Sequence, residues 1–330
     1  MRAMCVDAPG PGVPIKACEV AEPVPADEEV NIRVACSSAN WSDVQKRQGV
    51  YPAPVSYPLI PGLEVSGIVE SVGTNVREFS IGQRVAAIAA PRNCGGFAEK
   101  CLARHDYVFA IPSSLSMEQA ATFPVVCLTA WHLLNTAYRL KPGETVLIHA
   151  IGGGVGLVLT QIARAVGAIV IGTVGTAGKG ERAKAFGARA VFDRNSGDFV
   201  EEVRSITNGV GVDLVIDSVG GDVLNKSFDV VKPFGRIINI GEASGYPQFD
   251  IREAVYRRSS SFSGFELLHA ISASSRRGEA VKTLVDDLTA NRLHLPIERV
   301  FELAQVTEML DLLESRQVSG KLVVRVAPIH

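Results

Sequence analysis

The chain has 330 residues, 47% of them hydrophobic, and a formal net charge of −2. That length suits two domains with sizeable cores, and the balanced charge gives no reason to expect nucleic acid or an anionic membrane surface as a partner. No apolar run reaches the ~18 residues of a membrane span, and the segment Met1 to Val6 lacks the long apolar core of a signal peptide, so a cytoplasmic protein is expected.

Residues 1 to about 120 read as β-rich and irregular. Strands are expected at Val30 to Val34, Val65 to Val69 and Arg84 to Ile88, punctuated by proline and glycine. Crossover helices are few, which predicts a mostly antiparallel, barrel-like domain. The six cysteines (Cys5, Cys18, Cys36, Cys94, Cys101 and Cys127) are scattered without a C-x-x-C pair, and buried or reduced thiols are expected.

The character changes near Ser116. Met117 to Leu134 reads as helical, and a βαβ alternation begins at Thr145. Strands are expected at Val146 to Ala150, Ile169 to Thr173, Ala190 to Phe192, Val212 to Ile216, Arg236 to Ile240 and Ser260 to Phe265. The helices between them are expected at Gly154 to Val166, Lys179 to Phe186, Phe199 to Ile206 and Val223 to Val230. The result is a doubly wound parallel sheet.

Within this region Val146, Leu147 and Ile148 run into Gly152, Gly153, Gly154, Val155 and Gly156, and then into a helical repeat. Strand, glycine turn and helix start make a cradle for a dinucleotide pyrophosphate: the backbone approaches closely, and the free N–H groups and helix dipole favour negative charge. The G-x-G-x-x-G fingerprint is incomplete, because its last position is Leu157.

After about residue 266 two amphipathic helices, Glu279 to Ala290 and Ala304 to Glu314, precede a strand-like run, Lys321 to Val326. The tail is too short for a third domain and is expected to return to the first. The divisions are 1–122 with 266–330 for a discontinuous catalytic domain, and 123–265 for the nucleotide domain. Ligands usually lie in the cleft of such an arrangement.

Six blocks resemble the medium-chain dehydrogenase/reductases in order and spacing: Asn40-Trp41-Ser42-Asp43, Gly49-Val50-Tyr51-Pro52, Pro61 to Gly67, Gly82 to Val85, Gly95 to Glu99, and the turn Ala150 to Gly156. The nearest branch is the zinc-independent quinone oxidoreductase, zeta-crystallin-like family. The resemblance implies a GroES-like β-rich catalytic domain, a Rossmann domain, a nicotinamide cofactor and a homodimer. It also argues against zinc. The alcohol dehydrogenase branch has a cysteine where this chain has Asn40 and a histidine where it has Leu63, and its four-cysteine lobe is missing.

An NAD site carries a carboxylate about 20 residues past the first glycines. Here Gly172 to Lys179, including Gly175 and Thr176, holds none, and small hydroxylic residues with a lysine suit a 2′-phosphate. The resemblance places Lys179 on a 2′-phosphate lysine, and Arg194 where the family commonly carries a tyrosine with that duty. The expected cofactor is NADPH. By the same resemblance Asn40, Trp41, Ser42 and Asp43 line the nicotinamide end, and Thr129 lies near the carboxamide. Ser218, Ile240 and Gly241 fall at the carboxyl ends of later strands, where ligands gather. The departure at Ile151 is expected to point away from the phosphates, and Trp41, Tyr51, Trp131 and the loop near Tyr246 are expected to shape the cleft.

The chemistry expected is hydride transfer to a small-molecule quinone or enone, with no nucleic acid or membrane partner. Tyr51 matches a tyrosine that lines the substrate cleft in quinone oxidoreductases and donates a proton in related enoyl-thioester reductases. Asn40 could donate to the substrate oxygen. Two other readings stay open: an enoyl-thioester (enoyl-CoA or acyl-carrier) reductase, and a non-catalytic, nucleotide-binding crystallin-like protein.

Overall fold

A computed structural model describes residues 1–89 and 95–327; Cys94 lies outside the described residues. The N-terminal stretch forms β1 (Arg2–Cys5), β2 (Lys16–Glu19), β3 (Glu29–Ser38), α1 (Trp41–Gln48), β4 (Glu64–Val72), β5 (Arg84–Ile88), β6 (Lys100–Arg104) and β7 (Val108–Ala110). It continues into α2 (Met117–Ala121) and α3 (Pro124–His132). The helical stretch expected over 117–134 is thus split in two. Pro124 lacks the N–H an inner turn needs, so it opens a new helix at its first position. Past His132 the backbone widens into a π-helical turn, Leu133–Ala137.

The chain then alternates through β8 (Thr145–His149), α4 (Gly154–Val166), β9 (Ile169–Val174), α5 (Glu181–Ala185), β10 (Ala190–Asp193), α6 (Phe199–Ile206), β11 (Val212–Asp217), α7 (Gly221–Ser227), β12 (Val231–Asn239), α8 (Ile251–Tyr256) and β13 (Ser261–Gly264). The strands form one parallel sheet in the order β10-β9-β8-β11-β12-β13. β12 starts five residues before the expected Arg236, since its pairing with β11 jumps from Val212↔Val231 to Leu214↔Arg236. Pro233, which cannot donate to the ladder, sits in that bulge and hides the first half of the strand from a periodicity reading. Val146, Leu147, Ile148, Val215 and Ile237 are essentially inaccessible, and each such side chain contributes roughly 1.5–3 kcal/mol.

The chain ends with α9 (Leu267–Ala273), α10 (Arg277–Thr289), β14 (Ile297–Glu302), α11 (Val306–Glu314) and β15 (Lys321–Arg325). β15 pairs antiparallel with β3 and parallel with β14, so the tail joins the sheet β14-β15-β3-β4-β5-β7, with β6 also on β3. The core of this unit is formed by Val30, Ile32, Val34, Val65, Phe97, Phe301, Met309 and Val324 among others.

The molecule is therefore a GroES-like β-rich unit, broken in sequence, and a Rossmann unit. The compact units are residues 1–128 with 281–330, and 129–280. The sequence pattern places the divisions at 122/123 and 265/266. The structural divisions fall inside α3 and α10, where helical residues on either side differ in nothing a pattern reports. Among the described residues no helix is long and apolar enough to cross a membrane.

The cysteine expectation fails at one pair: Cys5 and Cys18 form a disulfide. β1 and β2 pair Cys5 with Lys16 and Ala3 with Cys18, which makes the two cysteines diagonal neighbours on one face of a two-stranded ladder. A separation of 13 residues carries no motif that would reveal this. Cys36, Cys101 and Cys127 are free and buried, and burial pushes the Cys36 and Cys101 thiols up to about 12, so both are protonated and inert.

Candidate functional site

In the Rossmann unit the expected cofactor residues gather at the carboxyl ends of the central strands. The chain leaves β8 through Ala150, held at φ 53°, a left-handed conformation that costs an alanine about 1 kcal/mol. Gly153 then caps α4, whose 13 residues run to Val166. A Cβ at Gly152 would lie 2.3 Å from the Lys179 carbonyl oxygen, so the glycine lets the 175–180 loop settle onto the turn. Ile151 is fully buried, and its side chain fills the space left by Gly172, where a Cβ would lie 2.5 Å from Ile151 Cδ1. The large residue in the turn is balanced by a glycine in the next strand.

Arg194 follows β10. Its backbone N–H donates to Val174 O at 3.0 Å, Asn195 Nδ2 donates to Gly175 O at 2.8 Å, and Arg194 Nη1 donates to Thr173 Oγ1 at 2.7 Å. The guanidinium lies against Gly175, where a Cβ would be 2.6 Å from Nη2. Gly175, Thr176, Lys179 and Arg194 are thus brought to one edge of the sheet. Thr173 also meets the buried His149, whose Nδ1 is 2.8 Å from its hydroxyl and whose Nε2 is 2.9 Å from Ser227 Oγ. Burial, with Arg194 adding to it, holds the His149 pKa down to about 3, so the ring is neutral.

Ser218 and Ile240-Gly241 are set side by side by Asp217. Its carboxylate accepts from the N–H groups of Val219 at 2.9 Å and Gly220 at 3.1 Å, and from Asn239 Nδ2 at 3.2 Å, while its carbonyl accepts from Ile240 N at 2.7 Å. Burial pushes the Asp217 carboxyl upward against these bonds. A Cβ at Gly241 would meet nothing nearer than Ser218 O at 3.8 Å, so the backbone there is open to a ligand. Thr129, in α3, is buried. Trp131 is buried too, with Arg276 stacked 4.7 Å from its ring centre.

In the GroES-like unit the start of α1 is tied down by charge. Glu64 Oε1 accepts from Lys321 Nζ at 2.8 Å, Ser38 Oγ at 2.6 Å and Asn40 Nδ2 at 3.1 Å, and Oε2 accepts from Val125 N at 2.8 Å. Lys321 Nζ also donates to Ala39 O at 2.6 Å and Asn40 Oδ1 at 2.8 Å, which uses all three of its hydrogens. The second hydrogen of the Asn40 amide is directed to Ser38 O at 3.4 Å. Every polar atom of that amide therefore serves the turn, and a donor role toward substrate would require breaking it.

Asp43 is likewise engaged, accepting from Asn40 N at 2.8 Å and Gly62 N at 3.0 Å; burial pushes its carboxyl up, and Lys46 opposes that. Trp41 packs on the core with Arg316 over its ring at 5.5 Å. Ser42 Oγ is buried and has no hydrogen-bond partner among the described residues. Tyr51 is half-buried, with Lys46 Nζ 4.8 Å from its ring centre. Sequence reasoning missed Glu64, Lys321, Asp217, Thr173 and His149. Each looks like an ordinary strand-end residue, and only its buried partners mark it out. Among the described residues no group of three or more His, Cys, Asp or Glu side chains could hold a metal ion.

A doubly wound sheet with a glycine turn, joined in sequence to a GroES-like unit, is the two-unit architecture of the medium-chain dehydrogenase/reductase class. The GroES-like domain model of alcohol dehydrogenases matches residues 26–113, and the model described as zinc-binding dehydrogenase matches 154–285. The 2-haloacrylate reductase of a Burkholderia species is 33% identical over 312 residues, 93% of each chain. One of the phenolphthiocerol/phthiocerol polyketide synthase proteins of Mycobacterium tuberculosis is 33% identical over 326 residues; that is 98% of this chain, which spans only 15% of that protein's length. The crystal structure of the Escherichia coli quinone oxidoreductase complexed with NADPH superimposes with a TM-score of 0.91 at 31% identity, covering 99% of this chain and 100% of that one. The chain belongs to the quinone oxidoreductase family of the medium-chain dehydrogenase/reductase superfamily.

Proposed function

We propose that this protein is a zinc-independent, NADPH-dependent reductase of quinones or α,β-unsaturated carbonyl compounds. The observation that carries the cofactor reading is Arg194. Its guanidinium lies against Gly175, at the edge of a stretch, Gly172 to Gly180, that holds no carboxylate. A guanidinium and the Lys179 ammonium attract a 2′-phosphate, whereas an NAD site wants an acid there. Gly152, Gly153, Gly154 and Val155 would hold the pyrophosphate at the start of α4. Within the Rossmann unit Thr129, Ser218, Ile240 and Gly241 would hold the nicotinamide half. The NADPH complex of the Escherichia coli relative supports this reading.

Zinc does not fit the residues present. Leu63 offers no donor atom, the Asn40 amide is spent on Glu64, Ser38 and Lys321, and the Lys321 ammonium 2.8 Å from Asn40 Oδ1 opposes a divalent cation.

NADPH, when bound, supplies the hydride. Reduction of a conjugated substrate needs no metal, because conjugation spreads the developing negative charge. The Tyr51 phenol is the proposed donor of the proton that follows. Lys46, over the ring face of Tyr51, keeps a positive charge beside it.

Two relatives bear on the substrate. A 2-haloacrylate carries a carbon–carbon double bond conjugated to a carboxyl group, which suits the enone reading. The match to a polyketide synthase favours a second reading, reduction of an enoyl thioester. A substrate panel separates them: NADPH oxidation with 1,4-quinones but not crotonyl thioesters supports the first, and the reverse supports the second. Binding of NADPH without turnover on either would leave a non-catalytic protein.

Lys179→Ala tests the cofactor half. It should weaken NADPH about tenfold and leave NADH nearly unchanged; equal losses would contradict the assignment. The homodimer is part of the same proposal. β13 is the edge strand of the parallel sheet, and Ser261, Ser263 and Gly264 on it are exposed, as a strand that pairs across a two-fold axis would be. A monomer by light scattering at working concentrations would count against it.

A further inference from the structure

We infer that Thr173, His149 and Ser227 form a buried hydrogen-bond chain that presets Arg194 for the 2′-phosphate and so sets the preference for NADPH over NADH. The inference rests on the assignment of Arg194 to that phosphate.

The direction of the chain is settled by what each group can do. A guanidinium only donates, so Thr173 Oγ1 accepts from Arg194 Nη1 at 2.7 Å. The single hydroxyl hydrogen of Thr173 must then go elsewhere, and His149 Nδ1 stands 2.8 Å away. Nδ1 is therefore an acceptor, and the imidazole carries its hydrogen on Nε2. That hydrogen is donated to Ser227 Oγ at 2.9 Å, and Ser227 in turn donates to Val223 O at 2.8 Å. Reversing the chain would put His149 Nδ1–H and Arg194 N–H on the same Thr173 oxygen and strand the hydroxyl hydrogen in the interior, which is costly. Thr173 and Ser227 are fully inaccessible and His149 nearly so, so water offers no alternative partner. The edge of the Phe199 ring closes one side of the imidazole, with centroids 5.1 Å apart.

The chain ties the ends of β8 and β9 and the helix α7 to one point, the Nη1 edge of Arg194. A long side chain that must organise itself around a phosphate loses rotamer freedom on binding. One already anchored by a buried hydroxyl loses less. NADH offers Arg194 a neutral 2′-hydroxyl where NADPH offers a charged phosphate, so the anchor should matter far more to NADPH than to NADH. A chain that only glued the sheet together would show no such selectivity.

The test is calorimetric binding of NADPH, NADH and 2′,5′-ADP to the wild type and to Thr173→Val, Thr173→Ser and Arg194→Ala. Thr173→Val keeps the branched shape and loses the hydroxyl. It should raise the dissociation constants of NADPH and 2′,5′-ADP about five- to tenfold, the loss of roughly one hydrogen bond, and leave NADH within about twofold. Thr173→Ser keeps the hydroxyl and should restore wild-type selectivity. If Thr173→Val weakens NADPH and NADH equally, or neither, while Arg194→Ala still lowers the NADPH preference, the positioning chain is wrong and the phosphate assignment survives. If Arg194→Ala leaves the preference unchanged, the assignment itself has failed. Nitrogen-15 NMR of the wild type gives an answer even where the valine variant does not fold. The His149 signal, identified by its loss in His149→Gln, must show the Nε2–H tautomer at neutral pH, and the Nδ1–H tautomer would overturn the proposal.

Discussion

Lys321, the first residue of β15, donates a 2.8 Å hydrogen bond to Glu64, the first residue of β4, 257 residues earlier in the chain, and both side chains are buried. The pair closes the GroES-like unit, because its other contacts fix the corner Ser38-Ala39-Asn40 and the start of α3. Removing one partner leaves an uncompensated charge in the interior. Lys321→Met should therefore cost about 3–5 kcal/mol, read from urea denaturation. Adding Glu64→Gln to that variant should recover part of the loss, since a neutral amide needs no counter-ion. A single variant within about 1 kcal/mol of wild type would show that the pair carries no such weight.

His132 gives a pH dependence. Burial first, and Arg276 second, hold its pKa down to about 4, and its Nε2 is buried without a partner among the described residues. In the unfolded chain the imidazole takes up its proton near 6.5. Between about 4 and 6.5 the unfolded state then binds more protons than the folded one. This contribution to stability is complete above 6.5 and falls away as the pH drops. From 6.5 to pH 5 the loss is ~2 kcal/mol, and His132→Phe should remove it. Asp43, Asp217 and Glu242, whose carboxyls burial pushes up, act in the opposite direction, so the measure is the difference between wild type and variant at pH 7 and pH 5. Parallel pH profiles would refute the account.

Adjacent glycines of the turn should respond differently to a methyl group. At Gly152 it would meet the Lys179 carbonyl at 2.3 Å, backbone that can yield only by moving the loop; at Gly153 the nearest atom is Ala150 O at 3.3 Å. Gly152→Ala should cost about 1–3 kcal/mol in thermal unfolding, and Gly153→Ala less than about 1 kcal/mol. Equal costs would mean the loop is not seated on the turn in solution.

Tyr51→Phe removes the proposed proton donor and keeps the ring under Lys46. Turnover should fall by about a hundredfold or more while NADPH affinity is unchanged. Unchanged turnover would leave Tyr51 a wall residue.

Several strands and helices of the parallel sheet, and the glycine turn, were legible in the sequence because they rest on local signals. Strand and helix periods from Thr145 onward place β8, α4, β9 and α6 within a residue of where they lie. The missing carboxylate between Gly172 and Gly180 is likewise a matter of composition over a short stretch. The errors fall where local signals mislead: Pro124 splits a helix whose apolar content looks continuous, and Pro233 conceals half of β12.

By itself the sequence determined most strands and helices of the parallel sheet, that a glycine turn follows the first of those strands, and which family the chain resembles. The first two follow from spacing within about 30 residues, and the resemblance follows from the order of six short blocks between Asn40 and Gly156. Only the tertiary structure decided that Cys5 meets Cys18, that the Asn40 amide is consumed by Glu64, Ser38 and Lys321, and that Arg194 is anchored through Thr173 to His149 and Ser227. The reason is physical. These contacts depend on where the chain returns to itself, and a hydrogen bond between buried groups leaves no period or composition along the chain to read.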